Sequence, residues 1–141
     1  MNAWFTDHLP DVDDMIGERY DATANWPLAD VAERLRRDLV DVQGDGMIAD
    51  DAEFAVRAEE SGSQNVVRVT VSGLPTPHAP AGLAAEVIRN TIRVVFELAS
   101  HYNRAERARP DRCRFLLAVD VMSDSGTTIG GLLATMHYQN W

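Results

Sequence analysis

The stretch "EFAVRAEESGSQNVVRVTVSGLP", residues 53–75, most narrows what this chain can fold into. Phe54, Val56 and Ala58 alternate with Glu53, Arg57 and Glu59, and Val67, Val69 and Val71 alternate with Val66, Arg68 and Thr70. A period of two with β-branched residues is the pattern of strands buried on one face. The polar "SGSQ" between the runs predicts a hairpin turn. As a phosphate-holding loop it is too short and has no lysine. "GLPTPHAPAG", with three prolines, then breaks the sheet.

The flanking segments have the other period. Leu28, Val31, Leu35, Leu39 and Val42 form one apolar stripe of an amphipathic helix. Asn25 is the expected cap, with Pro27 in the first turn, and Gly44 and Gly46 are the expected stop. Arg34/Asp38 and Arg37/Asp41 are four apart on its other faces. A second helix is expected over 82–107, with Leu83, Val87, Ile88, Ile92, Val95, Phe96, Ala99 and Tyr102 on its apolar face and Pro110 ending it. Residues 114–123 read as a third strand. "TIGGLLATMHY" reads as a fourth, weakened or bulged at Gly130 and Gly131. The order α-β-β-α-β-β predicts an α+β fold, two amphipathic helices packed on a small, mostly antiparallel four-stranded sheet. Residues 1–24 are read as an acidic, aromatic arm and 25–141 as one α+β domain.

Several chemistries are excluded or weakened by residue type and spacing. Cys113 is the only cysteine, so no internal disulfide exists, and His8, His78, His101 and His137 are scattered, which argues against structural zinc. Asp11, Asp13, Asp14 and Glu18 lack the glycine and glutamate positions of a calcium loop. No cofactor or metal is expected. No apolar run has the ~20 residues of a membrane span. The N-terminus has acids where a secretory leader has a basic flank and an apolar core, which predicts a cytoplasmic protein. Enzyme chemistry is the weakest reading and rests on Cys113 between two arginines, Asp120 interrupting an apolar strand, and His101.

Charge is unevenly spread. The net charge is −9, of which residues 1–60 carry −11 and residues 61–141 carry +2; all 13 basic residues are arginine. The acidic half repels nucleic acid at long range. The one basic concentration is "HYNRAERARPDRCR", with His101, Tyr102, Arg104, Arg107, Arg109, Arg112 and Arg114. Arg104 and Arg107 are expected on one face of the helix end, where arginines suit phosphates or an acidic partner.

The helix at residues 29–39, "FAVR" at 54–57, the turn at 61–63, the strand at 66–75, and Tyr102, Asn103 and Phe115 together resemble a family of small actinobacterial and phage proteins. That family is similar to the large polyvalent protein-associated domains of phages and conjugative elements, and the resemblance covers about half the chain. It implies a mobile-element context and a role in engaging host factors, and it carries no catalytic residue. The absence of lysine also suits a GC-rich coding genome.

The first expectation is therefore a small non-catalytic protein-binding module acting on a host or defence protein. Its surface would combine Trp4, Phe5, Tyr20 and Trp26 with an exposed strand edge, and an edge is also a route to a homo-oligomer. The acidic half would suit a basic protein. The alternative is a nucleic-acid-binding module using Arg57, Arg68 and the cluster from Arg104 to Arg114.

Overall fold

The computed structural model describes residues 14–74, 81–109, 112–123 and 125–134. Of the residues singled out above, the expected anchors Trp4 and Phe5 and the scattered His8, His78 and His137 lie outside them. The elements are β1 (Asp14–Ile16), α1 (Tyr20–Thr23), α2 (Leu28–Gly44), β2 (Glu53–Ser61), β3 (Gln64–Ser72), α3 (Ala81–Ser100), β4 (Arg104–Glu106), β5 (Leu116–Met122) and β6 (Thr128–Ala134). The class is α+β. β2, β3, β5 and β6 lie side by side in that order, with β2–β3 and β5–β6 antiparallel and β3–β5 parallel. The parallel pair follows from the intervening α3, because a helical crossover returns the chain in the same direction. A second sheet, β1 with β4, was not anticipated.

The hairpin forms as its alternation dictates. Ser61 faces Gln64, so Gly62 and Ser63 make a two-residue turn, and the turn reading of "SGSQ" holds. Phe54, Val56 and Ala58 oppose Val71, Val69 and Val67 on the covered face. Val67, Val69, Val71, Leu117, Val119 and Val121 are almost wholly buried there. α2 contributes Leu28, Val31, Leu35 and Leu39, and α3 contributes Ile92, Val95, Phe96 and Ala99 to the same cluster. Each such side chain removed from water contributes roughly 1.5–3 kcal/mol.

The two neighbouring glycines have distinct reasons. A Cβ on Gly130 would stand 2.9 Å from Ile88 Cγ2, so its bareness lets α3 approach the sheet. On the other face, a Cβ on Gly131 would stand 2.8 Å from the Val119 carbonyl oxygen. Val121 pairs with Gly130 and Met122 with Thr128, which leaves Ile129 as the extra residue of a bulge beside that pair.

Two expectations need correction. α2 starts at Leu28 with Pro27 at its cap, not at Asn25. Residues 20–26 instead make a separate helical turn, closed by Trp26 N–H on the Thr23 carbonyl, and the carbonyl oxygens of Thr23 and Trp26 also accept from Arg114. α3 stops at Ser100, well short of 107. Asn103 stops it by offering the backbone better partners: its amide donates to Phe115 O (2.9 Å), and its carbonyl oxygen accepts from Arg104 N (2.9 Å) and Phe115 N (3.2 Å). Residues 14–24, the latter part of the expected N-terminal arm, pack into the fold, with β1 paired to β4. Gly17 N–H donates to Asn103 O, and a Cβ there would fall 2.1 Å from Ser100 O.

Candidate binding surfaces

Because α3 ends early, Arg104 does not sit on a helix with Arg107. Ala105 bridges Cys113 in antiparallel fashion, with Glu106 N–H donating to Arg112 O and Arg114 N–H to Arg104 O. Alternate residues of paired strands share a face, so Arg104 stands opposite Arg114, and Glu106 opposite Arg112, on one side. Tyr20 of α1 comes over this face. The guanidinium carbons of Arg104 and Arg114 lie 6.0 and 5.5 Å from its ring centre. The result is an open cleft of about 540 Å³ lined by Tyr20, Ala24, Arg104, Glu106, Arg112, Cys113 and Arg114. The sequence-predicted residues Tyr20, Arg104, Arg112 and Arg114 are thus brought together.

Arg114 is the fixed member. Its Nη1 donates to Thr23 Oγ1 (2.9 Å) and Tyr102 O (3.0 Å), and its Nη2 to Thr23 O and Trp26 O (3.3 Å). Every one of these acceptors is neutral. Burial without a carboxylate partner holds the guanidinium below its ordinary pKa, with the Tyr20 phenol acting the other way. Among the described residues, Arg112 pairs with Glu106, 3.7 Å away and exposed. Arg107 and Arg109 are exposed on the connecting loop.

Other candidates lie elsewhere. Tyr102 is wholly buried. Its hydroxyl donates to Asp38 and accepts from Arg19 (3.2 Å). Asp38 in turn holds Arg34 at 3.3 Å, while Arg37 turns to Glu33 at 3.5 Å instead of the expected Asp41. His101 stands 3.7 Å from Glu18. Trp26 is 41% exposed beside the first turns of α2. Arg57 and Arg68 oppose each other on the sheet face away from the helices. There they are neutralised: Glu59 takes Arg57 and Arg68 at 3.0 Å each, and Asp120 takes Arg68 at 2.7 Å. Cys113 Sγ lies 3.8 Å from Gln64 Nε2. Among the described residues, the three candidate catalytic groups Cys113, Asp120 and His101 thus stand beside Gln64, Arg68 and Glu18 respectively. Among the described residues no cluster of metal ligands occurs, and no helix is long and apolar enough to cross a membrane.

Sequence reasoning missed a second surface at the other end of the sheet, on the loop joining α2 to β2. Gln43 Nε2 donates to the carbonyls of Ala49 (2.8 Å), Asp50 (3.2 Å) and Ala52 (2.8 Å). Met47 N–H bonds Val42 O, and Asn90 of α3 reaches Met47 O at 3.1 Å. Gly73, at φ +80°, packs where a Cβ would strike Asp51 O at 2.2 Å. The loop is therefore pinned. Ile48 points in, while Met47 stays 50% exposed. Met47, Ile48, Asp50, Glu86, Val87 and Asn90 line a groove of about 450 Å³. Among the described residues, no ion pair involves Asp41, Asp45, Asp50, Asp51, Glu53 or Glu86. On the adjoining turn of α3, Arg93 is taken by Glu97 and Asn90, and Arg89 stands exposed. The available signal was "GDGMIADD", two large apolar residues set in an acidic loop. In comparison with known proteins, no family, curated protein or solved structure matches the chain.

Proposed function

We propose that this protein is a small non-catalytic protein-binding module whose groove between the pinned loop and α3 takes a basic, partly apolar segment of another protein. The observation that carries this is Met47, half exposed on a loop that Gln43 and Asn90 hold in place. An exposed methionine on a fixed acidic rim is a costly feature in water and a good one against a partner. Preorganisation also lowers the ordering cost of binding. Asp45, Asp50 and Glu86 around it supply charge complementarity for arginine or lysine and speed encounter. A host or defence protein met by a mobile element is the partner class that the family resemblance implies.

The nucleic-acid reading is weaker. Arg57 and Arg68 are already committed to Glu59 and Asp120, so they offer phosphates little. Self-association through the β2 edge is also disfavoured, because Glu53, Arg57, Glu59 and Glu60 line that strand and charged edges discourage pairing.

Tagged parent and a Met47→Glu, Val87→Glu variant should be used side by side to capture partners from lysate, with nuclease. The expected result is a nuclease-resistant protein retained by the parent and lost by the variant, with both showing the same circular dichroism. A protein retained equally by both, or material that disappears with nuclease, would sink the reading.

A further inference from the structure

The four-stranded sheet has two edges, and their chemistry differs. β2 carries Glu53, Arg57, Glu59 and Glu60, whereas β6, "TIGGLLA", carries no charge. Among the described residues, no strand pairs with the outer side of β6. Charges guard an edge against another strand, and an uncharged edge is a template for one. We infer that β6 is the interface of a homodimer, in which two copies pair their β6 strands antiparallel about a twofold axis.

The strand's own outline selects a second copy as the occupant. Gly131 pairs with Asp120 and Leu133 with Ala118, so both stand on the sheet face away from the helices. Leu133 is 69% exposed, more than any other large apolar residue among those described. Two positions before it, Gly131 has no side chain. An antiparallel strand that fits this outline puts a small residue opposite Leu133 and a large one opposite Gly131. Read in its own direction that strand is Gly-x-Leu, which is what β6 itself supplies. Centred on Leu132, the pairing sets Leu133 of each copy across from Gly131 of the other, at the ~5 Å spacing of cross-strand neighbours. On the helix face it sets Gly130 across from Ala134, both small. Asp120, the carboxylate beside Gly131, is already held by Arg68 at 2.7 Å, so covering the glycine buries no lone charge. The twofold axis keeps the helices of both copies on one side and joins two four-stranded sheets edge to edge. Net charge opposes the contact: each copy carries −9, a repulsion that salt screens.

The test is sedimentation equilibrium of the full chain from about 5 to 500 μM, at low and at high salt. A monomer–dimer equilibrium that tightens with salt is expected. Leu133→Lys should weaken it by about tenfold or more with an unchanged circular dichroism spectrum, since a lysine guards the edge. Met47→Glu, in the groove, and Val40→Lys, on an exposed side of α2, should change it by less than about threefold, so the outcome is independent of the groove's partner. In a mixture of carbon-13-labelled and unlabelled chains, isotope-filtered NMR should show contacts from labelled Leu133 methyls to unlabelled Gly131 α-protons. A monomer at every concentration would overturn the inference and leave the β6 edge to a strand of another protein. It would equally fall with a dimer that survives Leu133→Lys, one that Met47→Glu or Val40→Lys weakens as much, or one without the Leu133–Gly131 contact.

Discussion

Where β2 begins, one glutamine side chain holds an acidic loop by its carbonyls; where β5 begins, arginine, asparagine and tyrosine side chains hold a basic one. The two ends of the same sheet differ in what fixes them. At the acidic end, Gln43 spends a neutral amide on Ala49, Asp50 and Ala52, and the aspartates are left facing outward without ion pairs among the described residues. At the basic end the charge itself is the fastener. Arg114 stitches α1 and the turn after it to the end of α3, and Asn103 stitches the end of α3 to β5. A fastener made of neutral groups leaves its neighbours' charges available. A fastener made of arginine builds a charge into the surface whether or not a ligand is present. The first end is therefore an adaptable rim, and the second a fixed electrostatic seat.

The largest expected effect tests whether the basic end is structural first. Asn103 is 2% exposed and serves three backbone groups. Asn103→Ala strands the N–H and C=O of Phe115 inside the fold, at roughly 1–3 kcal/mol for each group left unpaired. A loss of about 3–5 kcal/mol is expected in urea unfolding. A loss below ~1 kcal/mol would mean that water or a backbone shift replaces the latch, and the contrast between the two ends would fall.

The matching change at the acidic end is smaller. Gln43→Ala removes bonds to carbonyls that are partly accessible to water, so about 1–2 kcal/mol is expected. Its clearer mark is local. Hydrogen exchange at the Met47 and Ala52 amides, which bond Val42 O and Ala49 O, should speed up by tenfold or more while the β3 and β5 amides stay protected. If β3 and β5 exchange faster to the same degree, the loop is part of the global folding unit and not a separately held rim.

What the sequence made legible follows from periodicity. The β2–β3 hairpin and α2 are strongly periodic over nine and seventeen residues, and both appear with their apolar faces as read. The end of α3 was misplaced because His101, Tyr102 and Asn103 continue an apolar helical pattern, while the signal that ends the helix is the long-range bond from Asn103 to Phe115. Pairing twelve residues apart leaves no local trace. The same holds for β1, three residues long, whose partner Arg104–Glu106 is some ninety positions away. The arginine cleft was half legible: its composition was plain, yet which arginines share a face depends on the Ala105–Cys113 bridge. Tyr102 and Asn103, which belong to the motif that carries the resemblance, are both buried. The pinned groove was invisible because Gln43 looks like any exposed helical glutamine until the loop folds back onto it.

The smallest effect separates the ends by pH. Tyr102 is buried and donates to Asp38; burial first, and that carboxylate second, raise its pKa above the ordinary value of 10.0, with Arg19 opposing. The sign follows directly. The unfolded phenol ionises near 10, and the folded one keeps its proton to higher pH, so the stability this group contributes is complete below about pH 10 and is lost as pH rises through the folded value. The chain has no lysine to titrate in this window. Tyr102→Phe should cost about 1 kcal/mol at pH 7, through the lost bond to Asp38. Above pH 10 the parent's urea midpoint should fall faster, until the two curves meet. Gln43→Ala should instead track the parent at every pH, because the group removed does not ionise. Parallel falls for parent and Tyr102→Phe would show that the phenol ionises with its surroundings already opened, and would move the alkaline weak point from the Tyr102–Asp38 contact to another element of the basic end.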